Sequence, residues 1–183
     1  QSLDNGTWVR TNITSVTDGA TAPNGNANAD TIITTGSGTH TLVQTETNYM
    51  ATGTYTFSVW LKSATSEAVQ LRIDAAGGTI APTTGTAASH TTSSAWKRYS
   101  VTQTFTGAGA TSLKPTIVIP GHTATVVAWG AQLVTGSERG VYAVGSTIDT
   151  SIFPNTAIVA QGSIVLQDQW EKSGGPINGC GGK

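Results

Sequence analysis

The stretch YTFSVWLK, residues 55–62, alternates between two kinds of side chain. One set is large and apolar: Tyr55, Phe57, Val59 and Leu61. The other set is mostly polar: Thr56, Ser58, Trp60 and Lys62. Because successive side chains of a β-strand point to opposite faces, this period of two predicts a strand with one buried face.

The same alternation recurs along the chain, and no stretch has the apolar spacing of an amphipathic helix. The further predicted strands are Thr7–Ile13, Ala29–Thr34, Thr39–Thr45, Ala68–Asp74, Lys97–Phe105, Ser112–Ile119 and Thr123–Leu133. Turn-rich segments such as TAPNGNAN (21–28) and TGAGA (107–111) separate them. About eight short strands, each with one apolar face, predict an all-β fold of two packed antiparallel sheets, a sandwich of the jelly-roll type. Tyr55, Phe57 and Tyr99 are predicted core residues.

Composition excludes several classes of function. Charged residues make up only 10% of the 183-residue chain, and the net charge is −1, so no basic surface for nucleic acid is expected. No apolar run approaches the roughly 20 residues of a membrane span. The 37% hydrophobic residues and five tryptophans are enough for a core. The single cysteine, Cys180, excludes an internal disulfide and a cysteine-based zinc site.

The character of the chain changes after about residue 140. Residues 1–145 are predicted to form the sandwich domain, and residues 146–183 a C-terminal extension. The extension carries two apolar runs, Ala157–Ala160 and Ser163–Leu166, before the glycine-rich end EKSGGPINGCGGK. These runs must be buried either on the same domain or on a neighbouring subunit.

The motif WGAQL, residues 129–133, lies in the last predicted strand of the sandwich. Continuous alternation would place Val127, Trp129, Ala131 and Leu133 on one face. Trp129 is therefore predicted to fill the core between the sheets. Gly130 and Gln132 are predicted on the outward face, where the amide of Gln132 can bond an adjacent strand, a partner chain or a sugar hydroxyl.

Outward-facing polar and aromatic side chains form the predicted binding site. The alternation places them on one exposed sheet face: Trp60, Lys62, Gln70, Arg72, Arg98 and Gln132. A flat indole, guanidinium donors and amides are the groups that bind a pyranose ring and its hydroxyls. The alternative is that a loop or another subunit covers Trp60. Trp96 either flanks the same face or caps the edge of the core.

Metal binding and catalysis have weaker signals. Loop oxygens that suit a structural calcium ion come from Asp4, Asn24, Asn26 and Asp30, although turn formation also explains these residues. No other cofactor is expected. His40, His90 and His122 lie in separate segments and are interpreted as surface or turn residues. The ten acidic residues are scattered, and no nucleophile elbow or phosphate-binding loop is present, so the chain is predicted not to be an enzyme.

Five motifs in order resemble the jelly-roll, carbohydrate-binding-module-like domains of bacteriophage tail-fibre and other virion proteins. They are TWVRTN (7–12), APNGNANAD (22–30), GTYTFSVWLKS (53–63), WKRYSV (96–101) and WGAQL (129–133). The similarity spans roughly residues 7–142. The chain departs from the pattern at Val134, where the family has glutamate, and at RGVYAVGST (139–147), which replaces the family's ending.

The resemblance implies a virion structural protein, such as a tail-fibre, head-fibre or decoration subunit, located on the virion surface. Expected partners are other virion proteins, further copies of this chain in an oligomer, with a trimer as one expectation, and a host-surface or environmental glycan. The alternative is a non-catalytic carbohydrate-binding module of a secreted glycoside hydrolase, which would be extracellular.

Overall fold

The computed structural model describes residues 3–4, 6–47 and 52–140, and within these ranges the regular structure is entirely β. The ten strands are β1 (Trp8–Thr11), β2 (Ile13–Thr21), β3 (Ala27–Thr34), β4 (His40–Gln44), β5 (Gly53–Lys62), β6 (Ala68–Ala76), β7 (Ala88–Thr91), β8 (Lys97–Phe105), β9 (Ser112–Ile119) and β10 (Ala124–Thr135). The described residues contain no helix that could span a membrane. The predicted extension, residues 146–183, lies outside the described residues.

The strands form two five-stranded sheets. Sheet A has the order β1-β4-β9-β6-β7, and sheet B has the order β2-β3-β10-β5-β8. Every strand pair is antiparallel. Strands that follow one another in sequence often lie in different sheets, as β5 and β6 do, so the chain repeatedly crosses between the two layers. This arrangement confirms the predicted jelly-roll sandwich.

The main core lies between the sheets, where the apolar set of β5 is buried. Tyr55 is 2% exposed, Phe57 is 1% exposed, and Tyr99 of β8 joins them. Leu71 and Ile73 of β6 and Ile117 of β9 contribute from sheet A. The predicted core positions in β5 and β8 are therefore confirmed.

The first predicted strand, Thr7–Ile13, corresponds to β1 and ends at Asn12, and β2 after it was not predicted. Asn12 has a positive φ of 56°, which turns the chain so that β1 joins sheet A and β2 joins sheet B. The Asn12 side-chain Nδ2 donates to the Thr39 carbonyl at 2.9 Å. The Asn12 carbonyl in turn lies 2.7 Å from Nδ1 of His40. His40 is only 1% exposed, so its interpretation as a surface or turn residue was wrong.

Strand β10 contains a bulge that changes which side chains face the core. Ala124, Val126 and Ala128 belong to the main core. The pairing register with β5 then shifts between Trp129 and Gln132, and Gly130 has a φ of 66°. A bulge adds one residue to a strand and so reverses the alternation beyond it. The prediction that Trp129 fills the space between the sheets was therefore wrong: Trp129 follows the core residue Ala128 and lies on the outer face of sheet B, and the bulge after it keeps Gln132 on that face and returns Leu133 to the core.

Candidate functional site

The outer face of sheet B carries three tryptophans, Trp60, Trp96 and Trp129, which we call the tryptophan patch. Trp129 of β10 lies directly opposite Trp60 of β5, and residues opposite each other in an antiparallel pair share a face. Trp129 is 7% exposed, whereas Trp60 and Trp96 are only half-buried and pack against it. The patch is thus a buried indole with two partly accessible indoles beside it.

The β2–β3 hairpin covers one side of the tryptophan patch. Three register irregularities in the pairing of β2 with β3 bend this hairpin. Ala22 and Ala29 are buried against Trp129, and small side chains at these two positions leave room for the indole. The predicted turn segment TAPNGNAN forms the tip, where the Ala22 amide donates to the Asn26 carbonyl at 2.8 Å.

Lys62 links the tryptophan patch to a neighbouring depression. Its ammonium nitrogen lies 4.8 Å from the centre of the Trp96 ring, a cation–π contact. The depression has a volume of about 770 Å³, and its lining includes Lys62, Ser63, Thr65, Glu67, Ser94, Thr125 and Val127. The lining is thus rich in serine and threonine, of which the Ser63 hydroxyl donates to the Thr125 carbonyl at 2.7 Å, and Lys62 joins the depression to Trp96.

The carboxylate of Glu67 at the depression is already engaged. Its Oε2 lies 2.8 Å from Nε2 of His122, and its Oε1 accepts a short hydrogen bond from the Thr65 hydroxyl. His122 lies in the β9–β10 turn, where its Nδ1 contacts the Pro120 carbonyl. These contacts fix the loop after β5 against the turn before β10 and so shape the wall of the depression.

Arg98 and Gln132 lie on the same outer face as predicted, but their polar groups bind the protein itself. Arg98 Nη2 donates to Gln132 Oε1 at 2.6 Å and to the Ser58 hydroxyl at 2.9 Å. It also donates to the Arg139 carbonyl at 2.8 Å, while Nη1 donates to the Gly140 carbonyl at 2.8 Å. These four acceptors are all oxygen atoms of the protein, which indicates that Arg98 helps to organise the outer face.

Gln70 and Arg72 do not join the other predicted site residues. They belong to β6, which pairs with β7 and β9 in sheet A, so they face outward on the opposite side of the sandwich. Gln70 Nε2 donates to the Ser89 hydroxyl at 3.3 Å, and Arg72 Nε lies 2.8 Å from a carboxylate oxygen of Asp74. The prediction of a single face was wrong because alternation within a strand does not show which sheet that strand joins.

The four calcium candidates lie at two places. Asp30 is 1% exposed, and its carboxylate accepts the backbone N–H groups of Leu3 at 2.8 Å and Asp4 at 3.1 Å. Asn24 and Asn26 lie in the β2–β3 turn, where the Asn24 side chain accepts the Asn26 amide at 3.0 Å. Among the described residues no group of three or more His, Cys, Asp or Glu side chains is arranged to hold a metal ion. The calcium site stays a prediction.

His90 and Tyr99 form a pair of titratable side chains where the edge strands β7 of sheet A and β8 of sheet B meet. The His90 and Tyr99 rings have centroids 4.9 Å apart, and the Tyr99 hydroxyl donates to the Thr91 carbonyl at 2.6 Å. Burial lowers the pKa of His90 below its ordinary value, and burial raises the pKa of Tyr99. His90 is therefore half-buried against Tyr99 at the edge of the sandwich, in contrast to its interpretation as a surface or turn residue.

Comparisons with known proteins agree on the fold. No family model and no curated protein matches the sequence. Among solved structures, the xylan-binding CBM22-2 domain from Paenibacillus barcinonensis has a TM-score of 0.56 and 13% identity, covering 74% of this chain and 96% of that chain. The family 11 carbohydrate-binding module from Clostridium thermocellum, in complex with a β-1,3-1,4-mixed-linked tetrasaccharide, has a TM-score of 0.53 and 12% identity, covering 74% and 92%.

A third similar structure comes from a bacteriophage. The enzymatically active domain of tailspike protein 4 from bacteriophage CBA120 has a TM-score of 0.51 and 10% identity, covering 74% of this chain but only 20% of that chain. At these identities the likeness concerns the fold. The described domain therefore has the jelly-roll sandwich found in carbohydrate-binding modules.

Proposed function

We propose that this chain binds carbohydrate without catalysis, through the outer face of sheet B. The main support for this proposal is the tryptophan patch, in which half-buried Trp60 and Trp96 pack against buried Trp129. Indole faces pack against the C–H face of a pyranose ring, and a few hydroxyl and cationic groups beside them bind its hydroxyls. Lys62 and the hydroxyl-rich depression supply those polar groups.

The polar groups around the depression suit binding of a sugar without hydrolysis. A glycosidase needs two carboxyl groups on either side of one glycosidic bond. Of the residues that line the depression, Glu67 supplies a carboxylate, and His122 and Thr65 already occupy it. Two of the similar solved structures are themselves named carbohydrate-binding domains or modules.

Two settings suit such a module. The five-motif resemblance supports a virion structural protein that presents the patch to a surface glycan, with other virion proteins and copies of this chain as partners. The tailspike similarity supports the same setting through fold alone. The xylan-binding domain and the family 11 module equally support an extracellular module attached to a glycoside hydrolase.

A glycan array with two single variants tests the binding function. Trp60→Ala removes one of the two partly accessible indoles, and a central aromatic contact is worth about 2 kcal/mol or roughly thirtyfold in Kd. Gln70→Ala is the matched control, because Gln70 lies on the opposite face of the sandwich. A wild-type protein that binds no glycan, or a Trp60→Ala variant that binds equally well, would remove the proposed site.

Light scattering on the full chain separates the two settings. A virion structural protein is expected to form a defined oligomer, with a trimer as the specific expectation, and to lose that state when residues 146–183 are deleted. A clean monomer at micromolar concentration that the deletion leaves unchanged favours the enzyme-attached module.

A further inference from the structure

Five residues after β10 cross the outer face of sheet B, and we call residues 136–140 the strap. Gly136 donates its amide to the Thr54 carbonyl at 2.7 Å, which extends the pairing of β10 with β5 by one bond. Its φ of 99° then turns the chain out of the sheet. The strap therefore begins at the end of β10, bonded to β5.

Side chains that point outward from sheet B hold the carbonyl groups of the strap. The Thr56 hydroxyl donates to the Gly136 carbonyl at 2.8 Å, and the Thr102 hydroxyl to the Ser137 carbonyl at 3.5 Å. Arg98 donates to the carbonyls of Arg139 and Gly140, each at 2.8 Å. Arg139 Nη1 returns a bond to the Arg98 carbonyl at 2.9 Å. The strap thus passes from β5 to β8 and runs along β8.

The strap reaches the level of the tryptophan patch. Arg98 lies directly opposite Trp60 in the pairing of β5 with β8, so the strap residues that it binds lie beside the patch. Thr56 and Ser58 face outward, yet each is only 1% exposed. This part of the sheet B face is therefore not available to a ligand.

The accessible surface is consequently bounded on two sides. The strap limits it at β8, and the β2–β3 hairpin, with Ala22 and Ala29 packed on Trp129, limits it at the other edge of the sheet. Between these limits lie Trp60, Trp96 and the depression beside Lys62. The hairpin and the strap lie at the two edges of sheet B, so a glycan that runs across the strands over Trp60 meets a wall at each end, whereas the interior of a long polysaccharide needs both ends of its path open.

We propose that the strap closes the β8 side of the site and restricts it to short oligosaccharides and chain ends of glycans. This inference rests on the proposed function. Arg98 acts as the positioning residue, because its planar guanidinium reaches Ser58, Gln132, Arg139 and Gly140 together. A lysine or methionine side chain cannot make this set of bonds.

Binding of long and short glycans by the full chain and Arg98→Met tests the proposal. The probes are soluble xylan and xylohexaose, and mixed-linked β-glucan and its tetrasaccharide. Wild type is expected to bind the oligosaccharides more tightly, per sugar unit, than the intact polysaccharides. Arg98→Met releases the strap and is expected to raise polysaccharide affinity by at least about tenfold relative to oligosaccharide affinity. Equal affinity of wild type for both lengths, or an unchanged ratio in Arg98→Met, overturns the proposal.

Trypsin cleavage after Arg139 reports on the strap independently of any glycan. Because Arg98 binds the carbonyls of Arg139 and Gly140, cleavage of the bond between these two residues is expected to be slow in wild type and in the control Arg72→Met, whose side chain lies on sheet A, and faster in Arg98→Met. An equal cleavage rate in all three proteins refutes the closure by Arg98. If wild type binds none of the probes while this bond stays protected, Arg98 holds the strap but the proposed function, and chain-end recognition with it, is refuted.

Discussion

Replacing Gly130 with alanine tests the bulge that keeps Trp129 and Gln132 on the same outer face of sheet B. Gly130 has a φ of 66°, in the left-handed region, where a side chain with a Cβ atom costs about 1–2 kcal/mol. Gly130→Ala should therefore lower the free energy of unfolding by about 1–2 kcal/mol, which for a domain of this size lowers Tm by roughly 3–8 °C. Urea denaturation followed by tryptophan fluorescence measures the first quantity, and calorimetry the second.

Gly6→Ala provides the matched control for Gly130→Ala. Gly6 lies in an exposed turn, and a Cβ atom built there meets no atom within 4 Å. This variant should be neutral or slightly more stable, because alanine reduces the freedom of the unfolded chain. If Gly130→Ala is as stable as Gly6→Ala, the backbone at Gly130 is not left-handed. The alternation of β10 would then continue unbroken from Ala128, so Gln132 would face the core and Leu133 would face outward.

Four further variants or conditions test other parts of the structure. Phe57→Ala should lower the free energy of unfolding by about 3–5 kcal/mol, because Phe57 is 1% exposed in the main core, and urea denaturation measures this loss. Arg98→Met should cost about 2 kcal/mol in the same assay through lost bonds to a charged donor, whereas neutral stability would contradict the contacts described for Arg98. Because burial lowers the pKa of folded His90, the unfolded chain holds more protons below pH 6.5, so stability should fall as the pH drops below that value. His90→Gln should remove this part of the pH dependence of Tm, and an unchanged profile would refute it. Asp30→Ala should cost about 2–3 kcal/mol because two backbone N–H groups lose their acceptor, and a calcium-dependent rise in Tm that occurs in wild type alone supports the predicted calcium site.

The strands with a regular buried face were predictable from the sequence. In β5 and β6 every second side chain enters the main core, so the hydrophobic pattern reports the structure directly. The missed strands lack that pattern. The second half of β2 is mostly exposed at a sheet edge, and β7, with the sequence ASHT, has no large apolar residue.

The composition of the candidate site was only partly predictable. Trp60, Lys62, Arg98 and Gln132 share a face as expected, because they lie on neighbouring strands of sheet B. Gln70 and Arg72 do not, since strand order is determined by long-range pairing.

Trp129 and the strap show two further limits. Gly130 within a strand was the available sequence signal for a bulge. A bulge at Gly130, with Leu133 kept on the core face, would have predicted Trp129 on the outer face. The strap has no local signal, because it depends on bonds from Arg98 to residues about 40 positions later in the chain, a non-local pairing that short-range periodicity does not encode.

The central claim is that carbohydrate binds at the tryptophan patch, and NMR of the indole N–H groups tests it most directly. The assigned indole signals are followed while the glycan identified on the array is added to the full chain. The signals of Trp60 and Trp96 should shift in proportion to binding, while that of Trp8, 3% exposed in the main core, should stay in place. Shifts confined to the sheet A face around Gln70 and Ser89, with Trp60 and Trp96 unchanged, would contradict the account.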